Sequence, residues 1–357
     1  MSGGVDSSVA AALCLERGYE VWGVTMRLWT PELEAPARYD GCCSVDAVED
    51  ARAVCNTLGI PHYVLNLKDV FRKYVVDDFV RQYASGRTPN PCIRCNEFVK
   101  FRFLLKKARM VGADYVCTGH YARIEKTARG FLLRKGVDEA KDQSYFLYVL
   151  TQRQMAHLLF PNGELTKAEV REIARKLGLN VAEKAESQEV CFVIAERVGQ
   201  FVAAHAPQAA RPGEIVSVDG RVLGEHRGLA FYTVGQRRGL GIGGGDRLYV
   251  LHIDAPHNRL IVGDDGDLWA RRLRVRDVHW TVPDPPQGPS PCTVRIRYNS
   301  PGGRAVVVPE RDNVAVVELE QPQRAVAPGQ AAVFYDGDVV LGGGTIEERL
   351  DKPWLRA

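Results

Sequence analysis

The residues Met1-Ser-Gly-Gly-Val-Asp-Ser-Ser8 constrain this chain more than any other stretch. Adjacent Gly3 and Gly4 free the backbone to bend sharply and to bring its N–H groups close to an anion. Ser2, Ser7 and Ser8 add hydroxyl donors, and Asp6 can hold a cation against phosphate. The apolar run Val9, Ala10, Ala11, Ala12, Leu13 follows at once and reads as a helix. A loop of donors that opens a helix is a phosphate site, because the helix N-terminus carries partial positive charge. The Gly-Lys-Ser/Thr ending of a Walker loop is missing. Such a loop ordinarily springs from a buried parallel strand. Only Met1 precedes Ser2, so the expectation is a chain truncated upstream of its first strand.

At 357 residues the chain calls for two or three domains. Hydrophobic content of 45% and charged content of 25% suit a globular protein. There is no 18-residue apolar run and no signal-peptide pattern, so the expectation is a cytoplasmic protein without a membrane partner. Nine cysteines are too few and too irregular for a disulfide scaffold of this size. A net charge of +3 gives no global polyanion signature, but basic residues cluster locally. Arg94, Lys100, Arg102, Lys106, Lys107 and Arg109 stand against Glu97; Arg271, Arg272, Arg274 and Arg276 form a second group, and Arg295 and Arg297 a third. Each reads first as a solvated face, yet several on one chain also suit a phosphate backbone.

Strands at 21–25, 63–67 and 115–118 alternate with helices at 7–17, 45–58, 70–83 and 97–110, and two more helices are expected at 152–159 and 167–177. This alternation predicts an α/β fold with a doubly wound parallel sheet. After residue 206 the texture changes to short β-like runs at 214–218, 247–253 and 259–262. A third block, from about 267, holds a proline-rich loop at 283–291 and strands at 293–298, 304–308, 314–319, 331–335, 339–341 and 344–347. Their spacing suggests a small closed β-barrel. The expected domains are 1–206, 207–266 and 267–357.

Cys92 and Cys95 form a C-x-x-C in Thr88-Pro-Asn-Pro-Cys-Ile-Arg-Cys-Asn96, before a basic helix. Cys95 is expected near the helix N-terminus, where the dipole and Arg94 would favour a thiolate. The pair reads as a redox couple, half a metal site, or coincidence; a second pair at zinc-site spacing is missing. Cys191 stands far along the chain in Glu186-Ser-Gln-Glu-Val-Cys-Phe192. Cys14, Cys55 and Cys117 read as core, Cys292 as incidental, and Cys42 and Cys43 stay open.

The opening loop resembles the SGG-x-DS pyrophosphate loop of the N-type (PP-loop) ATP pyrophosphatases. The wider set resembles the tRNA-specific 2-thiouridylases, the MnmA/TrmU family, over nearly the whole chain. It comprises Gly41-Cys-Cys-Ser44, Gly86-Arg-Thr-Pro-Asn-Pro91, Cys95-Asn96, Thr118-Gly-His-Tyr-Ala122, Lys141-Asp-Gln-Ser-Tyr-Phe146, Ser187-Gln-Glu-Val-Cys-Phe192 and Thr233-Val-Gly-Gln-Arg-Arg-Gly-Leu-Gly241. The resemblance implies a catalytic PP-loop domain, a β-rich central domain and a C-terminal tRNA-binding barrel. It also implies ATP with Mg2+ as cosubstrate and sulfur insertion at C2 of the wobble uridine in tRNAs for Lys, Glu and Gln. The sulfur donor would be a cysteine desulfurase or a relay protein.

Site roles follow from the same resemblance. Ser2, Gly3, Gly4, Val5, Asp6, Ser7, Ser8, Met26 and Gly119 would bind the nucleotide. Cys95 would be the nucleophile and Cys191 the persulfide carrier, with a redox disulfide Cys95–Cys191. Asn90, Pro91 and Cys92 would approach the target base; His120, Lys141, Asp142, Gln143, Arg297, Tyr298 and Gln330 would contact tRNA. A splayed anticodon loop would stack on aromatics such as Tyr121 or Tyr145. Many members of the family carry aspartate where this chain has Cys92. That departure opens a second mechanism, a [4Fe–4S] cluster held by Cys92, Cys95 and Cys191. The rival readings are a 4-thiouridine or lysidine synthetase and, from another class, a non-catalytic tRNA-binding or iron–sulfur scaffold with a vestigial ATP loop.

Overall fold

The computed structural model describes residues 1–28, 45–185, 190–193, 198–243 and 247–351. Gly41-Cys-Cys-Ser44 and Ser187 to Glu189 lie outside the described residues. The helix Val5–Glu16 begins two residues earlier than the periodicity suggests, directly on Gly4. Its small residues bury Val5, Ser8, Val9, Ala10, Ala11, Ala12 and Cys14, so neighbouring backbone can approach it closely. Parallel pairing holds in the α/β part, where Gly23–Arg27 lies beside His62–Asn66 and Val116–Cys117 beside Leu158–Leu159. The terminal ammonium of Met1 donates to the Val24 carbonyl, so the chain enters the phosphate loop alongside the first of these strands. The Cys14 and Cys117 sulfurs meet at 3.2 Å, as packing partners of helix and strand.

Two helical expectations change. The segment expected at 70–83 runs from Lys68 to Ala84 with a π-helical stretch, Arg72–Val76, inside it. The helix expected at 152–159 is one turn, Gln152–Met155, set by a capping box between Thr151 and Gln154. Leu158 and Leu159 then extend to pair with Val116 and Cys117, so tertiary pairing overrides helical propensity.

The central block forms a four-stranded sheet in the order Val222–His226, Gly213–Ser217, Arg259–Gly263, Tyr249–Asp254. The C-terminal block is a closed six-stranded antiparallel barrel. Trp269–Trp280, Ala315–Arg324, Gly303–Pro309, Ser290–Arg295, Ala331–Asp336 and Val339–Arg349 follow one another, and the last pairs back onto the first. Closure removes the sheet edges and fills the interior with Leu273, Val275, Val294, Val307, Val317, Phe334 and Ile346. The runs 339–341 and 344–347 are one strand, and the strand Trp269–Trp280 carries the arginine cluster. Outside the barrel Arg272 pairs with Glu318 at 3.1 Å and Arg274 with Glu348 at 3.6 Å, so this cluster is largely neutralised.

One hairpin ties the two ends of the chain together. Ala122–Thr127 and Gly130–Lys135 pair with each other and join the barrel sheet through Arg134 opposite Val339. Arg123 and Arg134 both reach the Asp338 carboxylate, at 2.8 and 2.6 Å. Among the described residues no helix is long and apolar enough to cross a membrane.

Candidate active site

The phosphate loop is shaped by close contacts that exclude side chains. Gly3 has φ +67, and a Cβ there would stand 2.3 Å from the Ala47 carbonyl oxygen on the helix Val45–Leu58. Gly4 is extended and caps the helix, and its carbonyl accepts the Ser7 and Ser8 hydroxyls at 3.1 and 3.0 Å. Ser2 and Ser7 hydroxyls lie 3.1 Å apart. Gly119 presses on this helix start from behind: a Cβ there would be 2.5 Å from the Asp6 carbonyl carbon and 2.7 Å from Ser7 nitrogen. Asn162, fully buried, donates to the Asp6 carbonyl at 2.9 Å and holds the same contact. The loop thus keeps its backbone donors and its helix dipole aimed at one place, as an anion site requires.

Asp6 is engaged on one oxygen. Its Oδ1 accepts the Tyr121 hydroxyl and the Lys167 ammonium, each at 2.7 Å. Lys184, on the other side, donates to the Gly3 carbonyl at 3.0 Å. Sequence reasoning missed Lys167, Lys184 and Asn162 as parts of the site. A signal existed only for the first: Thr166-Lys-Ala-Glu169 is a capping box that marks a helix start.

Cys92 and Cys95 open a helix that runs from Pro91 to Met110 and has a π-helical middle, Cys95–Leu104. Asn90 is its N-cap, and its side chain accepts the Cys92 N–H at 3.1 Å. The first turn therefore holds Cys92, which is exposed; Cys95 lies a turn further in and is buried. Cys95 thus stands near the helix N-terminus, one turn inside it, and the first-turn position belongs to Cys92. Arg94 likewise turns to carboxylates, Glu97 at 2.8 Å and Asp78 at 3.4 Å.

Cys95 shares one apolar cluster with Phe71, Val75, Val99 and Phe192, and Met26 and Cys191 pack against the same cluster. Phe192 is wedged edge-on between Phe71 and Phe79, with ring centroids 5.6 and 5.2 Å away, which fixes the backbone beside Cys191. Three expected residues from distant parts of the sequence are thereby gathered. Cys92 is not among them. Among the described residues no three His, Cys, Asp or Glu side chains are gathered to hold a metal ion, so Cys92, Cys95 and Cys191 as placed do not form the expected iron–sulfur ligand set.

The expected tRNA contacts divide. Arg297 is exposed on the barrel, and Lys141, Gln143, Tyr298 and Gln330 are half-buried. Tyr298 packs on Phe146 at 4.4 Å between ring centroids. Gln330 donates to the Thr88 carbonyl at 2.8 Å, and the Thr88 N–H donates to Pro328 at 2.8 Å, so the barrel holds the loop before Asn90 and Pro91. The central block touches the same loop, since a Cβ on Gly86 would lie 2.7 Å from the Ile253 carbonyl. Gln143 fixes Tyr121 by accepting its N–H at 3.1 Å.

Other expected contacts sit inside. Asp142 is buried and accepts the Ser144 N–H and hydroxyl and Arg295 Nη1, each at 3.0 Å. Its carboxylate is a scaffold acceptor in this arrangement. Tyr121 and Tyr145 are buried too, the latter with its hydroxyl on the Ala331 carbonyl at 3.0 Å, so neither offers a stacking face. His120 is buried between Phe101 and Phe160, with Nδ1 2.7 Å from the Thr118 hydroxyl.

Burial, then the nearby Lys100 ammonium, holds His120 well below the ordinary value of 6.5. Burial also lowers His62, His226 and His252. These groups are neutral in the fold and gain protons more readily when unfolded, so stability falls as pH drops below 6.5 toward their folded values. Urea midpoints should decline between about pH 7 and 5.5, and His120→Phe should flatten that decline. An unchanged slope would show that His120 does not contribute.

The tRNA methyl transferase HUP domain family matches residues 1–195, its PRC-barrel domain 199–264, and the aminomethyltransferase beta-barrel domain 270–346. The chain is 51% identical over 349 residues to the tRNA-specific 2-thiouridylase MnmA of Moorella thermoacetica, covering 97% of this chain and 98% of that protein. It is 48% identical over 351 residues to the protein of that name from Acetivibrio thermocellus, with 97% and 98% covered. With the one from Magnetococcus marinus it shares 51% over 347 residues, 97% of each. A phosphate loop at the head of a parallel α/β unit, two cysteines gathered in one cluster and an end-to-end match of this identity place the chain in the tRNA-specific 2-thiouridylase MnmA family.

Proposed function

We propose that this chain is an ATP-dependent tRNA-uridine 2-sulfurtransferase acting on the wobble uridine, with Mg·ATP as cosubstrate. The observation that carries the reading is the gathering of Met26, Cys95 and Cys191 in one cluster, in a chain similar end to end to proteins named for 2-thiolation. A uracil carbonyl is a poor electrophile with oxide as its leaving group. O2 attacks the α-phosphorus, pyrophosphate departs toward the Ser2–Ser8 loop, and O2 then carries AMP. The terminal sulfur of a persulfide on Cys191 adds at C2 and AMP leaves with the oxygen. The Cys95 thiolate attacks the Cys191 sulfur, which breaks the S–S bond to the base. This releases 2-thiouridine and leaves a Cys95–Cys191 disulfide that a two-electron thiol reductant reopens.

The dry, apolar setting of Cys95 and Cys191 favours this relay, because water there would hydrolyse the adenylate. Asn90, Pro91 and Cys92 present the target base, and Arg297, Tyr298 and the exposed Arg102, Lys106, Lys107 and Arg109 face the RNA backbone. The anticodon loops of tRNAs for Lys, Glu and Gln are the proposed substrates, with a cysteine desulfurase or relay protein as donor. The scaffold reading is not favoured, since the chain is similar end to end to proteins named for 2-thiolation and Gly3 and Gly119 keep the loop tightly packed. The test is reconstitution with unmodified tRNA, ATP and a persulfide donor. The expected products are AMP, pyrophosphate and 2-thiouridine in equal amounts; ADP and orthophosphate would refute the mechanism.

A further inference from the structure

The phosphate loop brings no cation of its own, since Asp6 is the one charged side chain from Ser2 to Ser8. A triphosphate there carries several negative charges, and a Walker lysine is absent. Two ammonium groups lie against the loop. That of Lys167, with its side chain only 11% exposed, neutralises the loop's own carboxylate. Lys184 differs: its side chain is 39% exposed, and its Nζ donates to the Gly3 carbonyl at 3.0 Å and to Asp50 Oδ2 at 2.5 Å. An ammonium has three donors, and the structure gives this one two acceptors among the described residues.

The chain around Lys184 is held from several sides. Its N–H donates to Val181 at 3.1 Å, and its carbonyl accepts Arg171 Nη2 at 3.3 Å. Asn180 Nδ2 donates to Asp50 Oδ1 at 3.2 Å. The ammonium is thus placed on the one loop carbonyl that the left-handed turn at Gly3 presents, at the boundary with solvent.

We propose that Lys184 is a binding residue for the terminal phosphates of the nucleoside triphosphate. It supplies from the 179–184 segment the cation that a Walker lysine supplies from within its loop, and Asp50 sets where the ammonium stands. This rests on the reading that the loop holds ATP. A purely structural tie between this segment and the helix Val45–Leu58 makes a different prediction, because such a tie does not distinguish ATP from AMP.

The experiment is calorimetric binding of ATP and of AMP to the full chain without tRNA. Lys184→Gln should weaken ATP about tenfold, the effect of one charge-assisted hydrogen bond, and leave AMP within about twofold. Lys184→Arg should keep most of the ATP affinity. Asp50→Asn, which removes the charge of the ion pair but keeps the ammonium and an amide oxygen to place it, should retain the preference for ATP over AMP that Lys184→Gln loses. Equal weakening of both nucleotides by Lys184→Gln, or unaltered ATP binding, overturns the proposal. Failure of the wild-type chain to bind ATP would bring down the functional reading itself; wild-type binding with an unaffected Lys184→Gln variant overturns this inference alone.

Discussion

Replacing Cys191 by serine is expected to abolish 2-thiouridine formation, by at least about a thousandfold, while tRNA-dependent pyrophosphate release continues. Serine at 191 cannot hold a persulfide, but it is a near-isosteric change at a residue that packs against the apolar cluster holding Cys95, so the phosphate loop should keep its shape. Cys95→Ser should stop thiolation as completely at a later point, with Cys191 still gaining one sulfur atom in intact-protein mass spectra. The two variants thus separate loading from release. Anaerobic purification adds a further arm: full activity in iron-free protein is expected, since Cys92, Cys95 and Cys191 do not converge as ligands. Unchanged thiolation in either serine variant would remove that cysteine from the mechanism.

The phosphate loop, the three-part division and the barrel were legible because each rests on local signals. The Gly3-Gly4 pair announces a tight loop, with Gly3 at a turn that a side chain would block, and Val294, Val307, Val317 and Phe334 fall on strand-length runs between turns. The cysteines were legible as residue types but not as a constellation. Which of Cys92, Cys95 and Cys191 come together depends on the helix starting at Pro91, and that start is fixed by the Asn90 cap, six residues before the basic run suggested. The capping box at Thr166 marks a helix start at Lys167 but not its partner, and Lys184 carries no signal at all, since a lysine on a helix or strap gives no sign of the carbonyl or carboxylate it will meet more than a hundred residues away. The hairpin Ala122–Thr127 and Gly130–Lys135 escaped notice for a similar reason: its strands are mostly half-buried, and its purpose is to join a barrel two hundred residues downstream.

Asp142→Ala is expected to destabilise the protein by roughly 3–5 kcal/mol, the cost of leaving a buried charge without its partner. The Asp142 side chain is 2% exposed and that of Arg295 16%, and their 3.0 Å pair joins the 141–146 segment to the barrel. Arg295 is further committed, donating to the Tyr298 carbonyl at 2.8 Å and the Ser300 carbonyl at 3.0 Å. Removing the carboxylate strands the guanidinium and also orphans the Ser144 N–H and the Gly136 N–H, which Asp142 accepts at 3.0 and 3.3 Å. Urea unfolding followed at Trp280, which packs on Phe334 inside the barrel, reports the loss. In the double variant Asp142→Ala with Arg295→Met, no stranded charge remains, so the loss should be smaller than the sum of the two single changes. The family resemblance implied Asp142 as an RNA contact, and the two roles separate by salt. A direct contact would lower tRNA affinity and alter its salt dependence at unchanged stability, whereas a buried junction loses stability first and binds tRNA with the wild-type salt slope wherever it remains folded.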